Sequence, residues 1–172
     1  CQETFTPAWC YVDDDPSKPI LYNWYAVMGI YNEASFYDFD LRKNLARDGW
    51  HVPSMEEWGT LVEFLVANGY GEGSANGFTY PYSDNHLNTL GKSIASSTGW
   101  TPTQSAGTVG YNQSTNNSSG FNAFPFGQRW SAGFDADANY AFFWSSTAYN
   151  ETLPWNGVAW SVYLAANQQG LV

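Results

Sequence analysis

Along the chain, apolar positions form one clear helical repeat and, much later, several short alternating runs. Trp58, Leu61, Val62 and Leu65 recur at three- and four-residue spacing, the period of one helix face. Ahead of them stands Ser54-Met55-Glu56-Glu57, a capping box in which the Ser54 hydroxyl serves the Glu57 amide and Glu57 reaches back. Pro53 sets the entry, and Asn68-Gly69 supplies the stop. The pattern predicts a helix over residues 54–68. A shorter second helix is predicted over 86–95, with Leu87, Leu90 and Ile94 turned inward despite Gly91. Residues 21–30 fit a helix or a buried strand by periodicity alone; Leu21, Trp24, Tyr25 and Met28 at helical spacing favour the helix.

The rest of the first half reads as loop. Pro7, Pro16 and Pro19 block a helix over residues 1–20, where Asp13-Asp14-Asp15 is a turn-like acidic run. Residues 69–84 are rich in Gly and Tyr, and 96–120 are a long Ser/Thr/Asn/Gly stretch of the kind that is functional or mobile in compact domains. After Gly120 short aromatic runs alternate with turns, predicting strands at 121–126, 128–131, 141–146 and 159–164. In the last, Trp160, Val162 and Leu164 alternate with Ser161 and Tyr163, the period of a half-buried strand. Helices first and hairpins later give an α+β class, with two helices packed on a small twisted antiparallel sheet with long loops. The length of 172 residues suits a single domain.

Composition changes that picture in two ways. The chain carries 9 Trp, 12 Tyr and 11 Phe beside only 13% charged residues, so Asn, Ser, Thr, Gly and Tyr must wet much of the surface. Rings with short polar neighbours are the chemistry of binding loops, although many of these rings must also build the core. Six Lys+Arg against 16 Asp+Glu leave a net charge of −10, a field that repels nucleic acid and anionic membranes. Neutral glycans, cationic peptides or divalent cations suit it better. No stretch approaches the ~20 apolar residues of a membrane span.

Candidate catalytic chemistry is sparse. The cysteines are Cys1 and Cys10, which offer no Cys/His zinc cluster, and a bridge between them would close only a short loop. Cys1 itself reads as a lipidated terminus or as a fragment start, the second being preferred. His51 sits at a helix entry, where a structural hydrogen bond explains it better than catalysis; His86 is the other histidine. No Gly-x-Ser-x-Gly elbow occurs. For calcium, Asp13 to Asp15 are too close together for an EF-hand loop, and Asp135-x-Asp137-x-Asn139 is half of one. The metal status stays open, and no other cofactor is expected.

Four blocks in order carry a family resemblance over nearly the whole chain. Pro7-Ala8-Trp9-Cys10-Tyr11 with Leu21-Tyr22-Asn23-Trp24-Tyr25-Ala26-Val27 opens it, and Gly49-Trp50-His51-Val52-Pro53-Ser54 with Glu57-Trp58 is its centre. Ser119-Gly120-Phe121-Asn122-Ala123-Phe124-Pro125 and Trp144-Ser145-Ser146-Thr147 follow. Together they resemble the Fibrobacter succinogenes major paralogous domain family. The resemblance implies a C-type-lectin-like fold akin to the formylglycine-generating-enzyme branch. It also implies a secreted or surface setting in bacteria, largely Bacteroidetes and Fibrobacteres, often on adhesins or lipoproteins. The chain departs from the family in having Ala46 where a cysteine is usual, and it lacks the N-terminal lead-in and the closing strand. A sheet edge left open in this way invites a neighbouring subunit. The active-site cysteine pair of the enzyme branch is absent, so an enzyme is not expected. The calcium-bound sugar motif is absent too, Trp155-Asn156-Gly157 being only a partial match.

These readings converge on a recognition or adhesion module for a glycan or protein ligand. Its expected face is the aromatic C-terminal third, with Trp130, Asp135, Asp137, Tyr140, Tyr149, Asn150, Trp155 and Asn156 as binding residues. Trp144 and Trp160 are read as core, and Trp155 as the most exposed ring. The alternative is a structural or assembly subunit of a surface filament or secreted complex.

Overall fold

The computed structural model describes residues 6–78, 88–130, 132–135, 137–149 and 159–172. Its elements in chain order are β1 (Trp9–Tyr11), β2 (Ile20–Tyr22), α1 (Trp24–Val27), α2 (Glu33–Tyr37), α3 (Met55–Ala67), α4 (Gly91–Ile94), β3 (Gln128–Trp130), β4 (Gly133–Asp135), β5 (Tyr140–Ala148) and β6 (Ala159–Ala165). The class is α+β. Instead of one small sheet, the described strands make three two-stranded ribbons, β1–β2, β3–β4 and β5–β6. The first two are antiparallel. The chain gathers into two compact units, Cys1–Ser54 with Trp144–Ser161 and Met55–Phe143 with Val162–Val172.

The first unit is organised by Asn23. Its side-chain oxygen accepts the amides of Ala26 and Ala8, and its amide donates to the Thr6 carbonyl. One residue thereby caps α1 and anchors the segment before β1, which is why residues 21–30 are not the single helix that their spacing predicts. β2 ends at Tyr22, and the helix runs only four residues. Trp24 is buried, and its indole donates to the Ser145 carbonyl at 3.2 Å. Val12, Val27 and Ile30 complete this small core.

In the second unit α3 matches the sequence closely. Met55, Trp58, Gly59, Val62 and Leu65 form its buried stripe, while Leu61 is only half-buried. The helix stops as Asn68-Gly69 predicts. Gly69 takes φ +76, its amide bonds Val66, and the Tyr70 amide bonds Leu65, the paired bonds of a Schellman motif. The second predicted helix shrinks to α4. Asn88 bridges Gly73, and its side chain accepts the amides of Leu90 and Leu171 and donates to the Leu171 carbonyl. The backbone up to Leu90 is thus committed to neighbours and cannot wind. Residues 79–87, including His86 and Leu87, lie outside the described residues. Leu90 and Ile94 do turn inward, as predicted.

Among the later runs, 128–131 appears as β3, while 141–146 and 159–164 appear as the longer β5 and β6. The strand predicted at 121–126 does not form. Asn122 sits at φ +62, Pro125 lacks an amide hydrogen, and only Ala123 makes a bridge, to Ala95. In β6 Val162 and Leu164 are fully buried, as the alternation requires. Tyr163 and Val172 exchange two backbone hydrogen bonds, so the chain's last residues pair with β6.

The stretch 96–120, expected as a loop, is almost free of regular structure yet closely tied down. Trp100 and Val109 are buried in it, and Asn116 is 8% exposed. The Asn116 amide donates to the Ser96 and Val109 carbonyls at 3.0 and 3.1 Å. Lys92 donates to Asn116 Oδ1 at 2.7 Å and to the carbonyls of Tyr111 and Asn112. Burial lowers the Lys92 pKa from its ordinary value, while the three oxygens favour the ammonium form.

Candidate functional site

In the second unit the expected ligand residues begin on the β3–β4 ribbon. Trp130 stands opposite Gly133, Arg129 opposite Phe134 and Gln128 opposite Asp135. Because Gly133 offers no side chain, nothing across the pair covers the Trp130 ring, which is 61% exposed. The Arg129 guanidinium lies 4.9 Å from the centroid of the Phe134 ring. Asp135 is exposed at the far end of the ribbon.

The turn that follows holds Asp137 and leads to Tyr140. The Asp137 carboxylate accepts the Ala138 amide at 2.9 Å, and its carbonyl accepts from the Asn139 side chain at 3.1 Å. Tyr140 is less available than the sequence suggests. Its ring is 5.5 Å from Phe142 at 13° between planes and 5.9 Å from Tyr163, so it belongs to a three-ring ladder. Residues 128–140 thus present one bare indole and two exposed carboxylates on a backbone held by pairing and turn bonds. Such a set can stack on a flat apolar face and accept hydrogen bonds from hydroxyls or amides.

In the first unit Tyr149 is 59% exposed, with its ring 5.1 Å from that of Trp160. Trp160, expected in the core, is only half-buried. Trp144 was expected in the core as well, and the structure corrects this. Ala141 and Ser145 are the buried positions of β5, so the alternation of the strand turns Phe142 and Trp144 outward, each 36% exposed. The Trp144 indole donates to the Tyr22 carbonyl at 2.8 Å. Among the described residues the core tryptophan of this unit is Trp24. Asn150, Trp155 and Asn156 lie outside the described residues, as does Cys1 with the bridge considered for it.

The acidic loops are engaged locally. Asp13 pairs with Lys18. The Ser17 backbone amide and hydroxyl bond Asp15 and lower its pKa. Among the described residues, no three His, Cys, Asp or Glu side chains form a group that could hold a metal ion. His51 is exposed. Among the described residues, no helix is long and apolar enough to cross a membrane.

No binding residue was expected within residues 31–50, where Tyr31, Tyr37, Phe39, Leu41, Leu45 and Trp50 all stand exposed. The signal was present in Tyr37-Asp38-Phe39-Asp40-Leu41-Arg42-Lys43, apolar residues set among charges without helical period. Period-based reading discards such a run as loop.

The class defined so far is an α+β domain that displays aromatic residues on ribbons and tied-down loops. More particularly, the chain belongs to the Fibrobacter succinogenes major domain family, whose model matches residues 3–170. No curated protein and no solved structure matches it.

Proposed function

We propose that this domain is an extracellular recognition or adhesion module of C-type-lectin-like architecture, binding a glycan or protein ligand without catalysis. The observation that carries the reading is Trp130, an indole 61% exposed on a paired ribbon with no side chain opposite it. A large apolar ring left in water on a rigid support costs solvation free energy that a ligand face recovers. Asp135 and Asp137 supply acceptors on the same short segment, and Tyr149 is a second exposed ring in the other unit. The net charge of −10 favours neutral or cationic ligands. The test is binding of the whole chain to glycan and protein arrays, comparing wild type with Trp130→Ala and Trp155→Ala. Trp130→Ala is expected to keep the wild-type melting temperature and lose about tenfold or more in affinity. Wild-type binding by both variants would remove Trp130 and Trp155 as ligand contacts.

A further inference from the structure

One short sequence, Ala-Asn-Gly followed by an aromatic residue, occurs in two settings. Ala67-Asn68-Gly69-Tyr70 closes α3, and Ala75-Asn76-Gly77-Phe78 follows shortly after it. Asn-Gly is a reactive pair because glycine puts no side chain between the asparagine amide and the next backbone nitrogen. That nitrogen can attack the asparagine side-chain carbonyl carbon. A C–N bond forms, the side-chain nitrogen leaves as ammonia, and the chain closes into a cyclic imide. Water then opens the imide at either carbonyl. One opening gives aspartate; the other gives isoaspartate, in which the main chain runs through the side-chain carbon. No oxidant or reductant is consumed. Because the two pairs share their flanking residue types, local structure sets any difference in their reactivity.

At Asn68 both nitrogens of the reaction are held. The side-chain nitrogen donates to the Phe64 carbonyl at 2.8 Å, and the Gly69 amide donates to the Val66 carbonyl at 3.0 Å within the helix stop. A hydrogen-bonded amide must open before it gives up its proton, and opening this one frays the end of α3. Asn76 and Gly77 are instead the central residues of a β-turn, closed by the Phe78 amide on the Ala75 carbonyl at 3.0 Å. Gly77 takes φ +91 while Asn76 stays out of the left-handed region, the type II arrangement that glycine favours. Among the described residues, neither the Gly77 amide nor the Asn76 side chain has a hydrogen-bond partner. Only the Asn76 backbone amide is engaged, by the Ser74 hydroxyl at 3.3 Å. Asn76 is also exposed, so water reaches it.

The turn is fastened to the core on both sides. Ala75 and Phe78 are buried, and a Cβ added to Gly59 of α3 would come 3.6 Å from the Ala75 Cβ and 3.1 Å from the Phe78 Cβ. Its ends therefore sit directly on the helix and cannot move apart freely. Isoaspartate would place an extra main-chain carbon between them and a carboxylate beside them. We propose that Asn76 is a site of spontaneous modification, converted by its own backbone and water to isoaspartate, and that the product loosens the seat of Phe78 on α3. Asn68, with matching flanks, is spared by the helix stop. The remaining Asn-Gly pair, Asn156-Gly157, lies outside the described residues. This site is separate from the ligand face around Trp130, and neither reading depends on the other.

Ageing the whole chain in mildly alkaline buffer, folded and in urea, with peptide mapping by mass spectrometry, tests it. In urea the two matched pairs should convert at similar rates. In the folded chain Asn76 should convert at close to its urea rate, while Asn68 should be slowed about tenfold or more. The Asn76 product should accept methyl groups from an isoaspartyl methyltransferase. Separated by ion exchange on its added negative charge, it should melt below the fresh protein. Asn76→Asp adds the charge without lengthening the main chain and should melt like wild type. Asn76→Gln, whose longer side chain closes the ring poorly, should stop the reaction at this position and leave the Asn68 rate unchanged. Equal folded rates at Asn68 and Asn76, an Asn76 that folding protects, or an isoaspartate form that melts with the fresh protein would each overturn the proposal.

Discussion

Residues 31–50, which hold the short helix α2, and residues 96–120 are both long connecting stretches held by polar side chains bonded to backbone. In the first, Ser35 and Arg42 tie the chain from within. In the second, Asn116 and Lys92 do so. They part over their rings. The second buries Trp100 at 3% exposure, whereas the first leaves Trp50 at 74%. Polar capping thus makes a loop rigid without deciding whether its apolar side chains serve the core or the surface. A rigid loop with buried rings is a piece of core. A loop with displayed rings leaves that apolar surface in water.

The comparison can be broken most severely at Trp100. Its indole donates to the Ser96 hydroxyl at 3.1 Å, and its backbone is bracketed by both ends of the Gln113 amide. Trp100→Ala should cost about 3–5 kcal/mol, measured by urea denaturation, through the cavity it leaves. A cost like that of a surface substitution would show that 96–120 is not core. Lys92→Met is expected to cost about 1–3 kcal/mol, since it removes the partner of the part-buried Asn116 oxygen. Faster amide exchange over residues 109–117 should accompany it, and unchanged exchange would remove the latch role. Ser35→Ala should cost about 1–2 kcal/mol by withdrawing the acceptor shared by two backbone amides. The smallest expected effect on stability is at Trp50 and Phe39, where serine should change unfolding by less than about 0.5 kcal/mol. A larger loss there would place those rings in a core and erase the contrast.

How much of this was legible in sequence depended on whether the information was local. The helix α3 was readable because a stripe, a stop and a Schellman glycine all lie within sixteen residues, Met55 to Tyr70. Trp130, expected as a ligand residue within the strand predicted at 128–131, stands exposed on β3. Trp144 was misread. An aromatic residue in an apolar strand looks like core, but the register of β5 assigns the interior to Ala141 and Ser145, leaving room there for Trp24. The helix predicted at 86–95 is confined to Gly91–Ile94 for a similar reason, Asn88 being held by Leu171 eighty-three positions away.

By itself, then, the sequence determined the elements whose causes are local. These are the long helix with its stop, the alternation of β6, the acidic charge and the membership of its family. Tertiary structure decided which face of each strand is inside, where Asn88 and Asn23 spend their hydrogen bonds, and which rings reach water. The physical reason is that burial is a property of neighbours. A ring has the same apolar surface wherever it stands, and only the residues brought against it from distant parts of the chain settle whether that surface is covered.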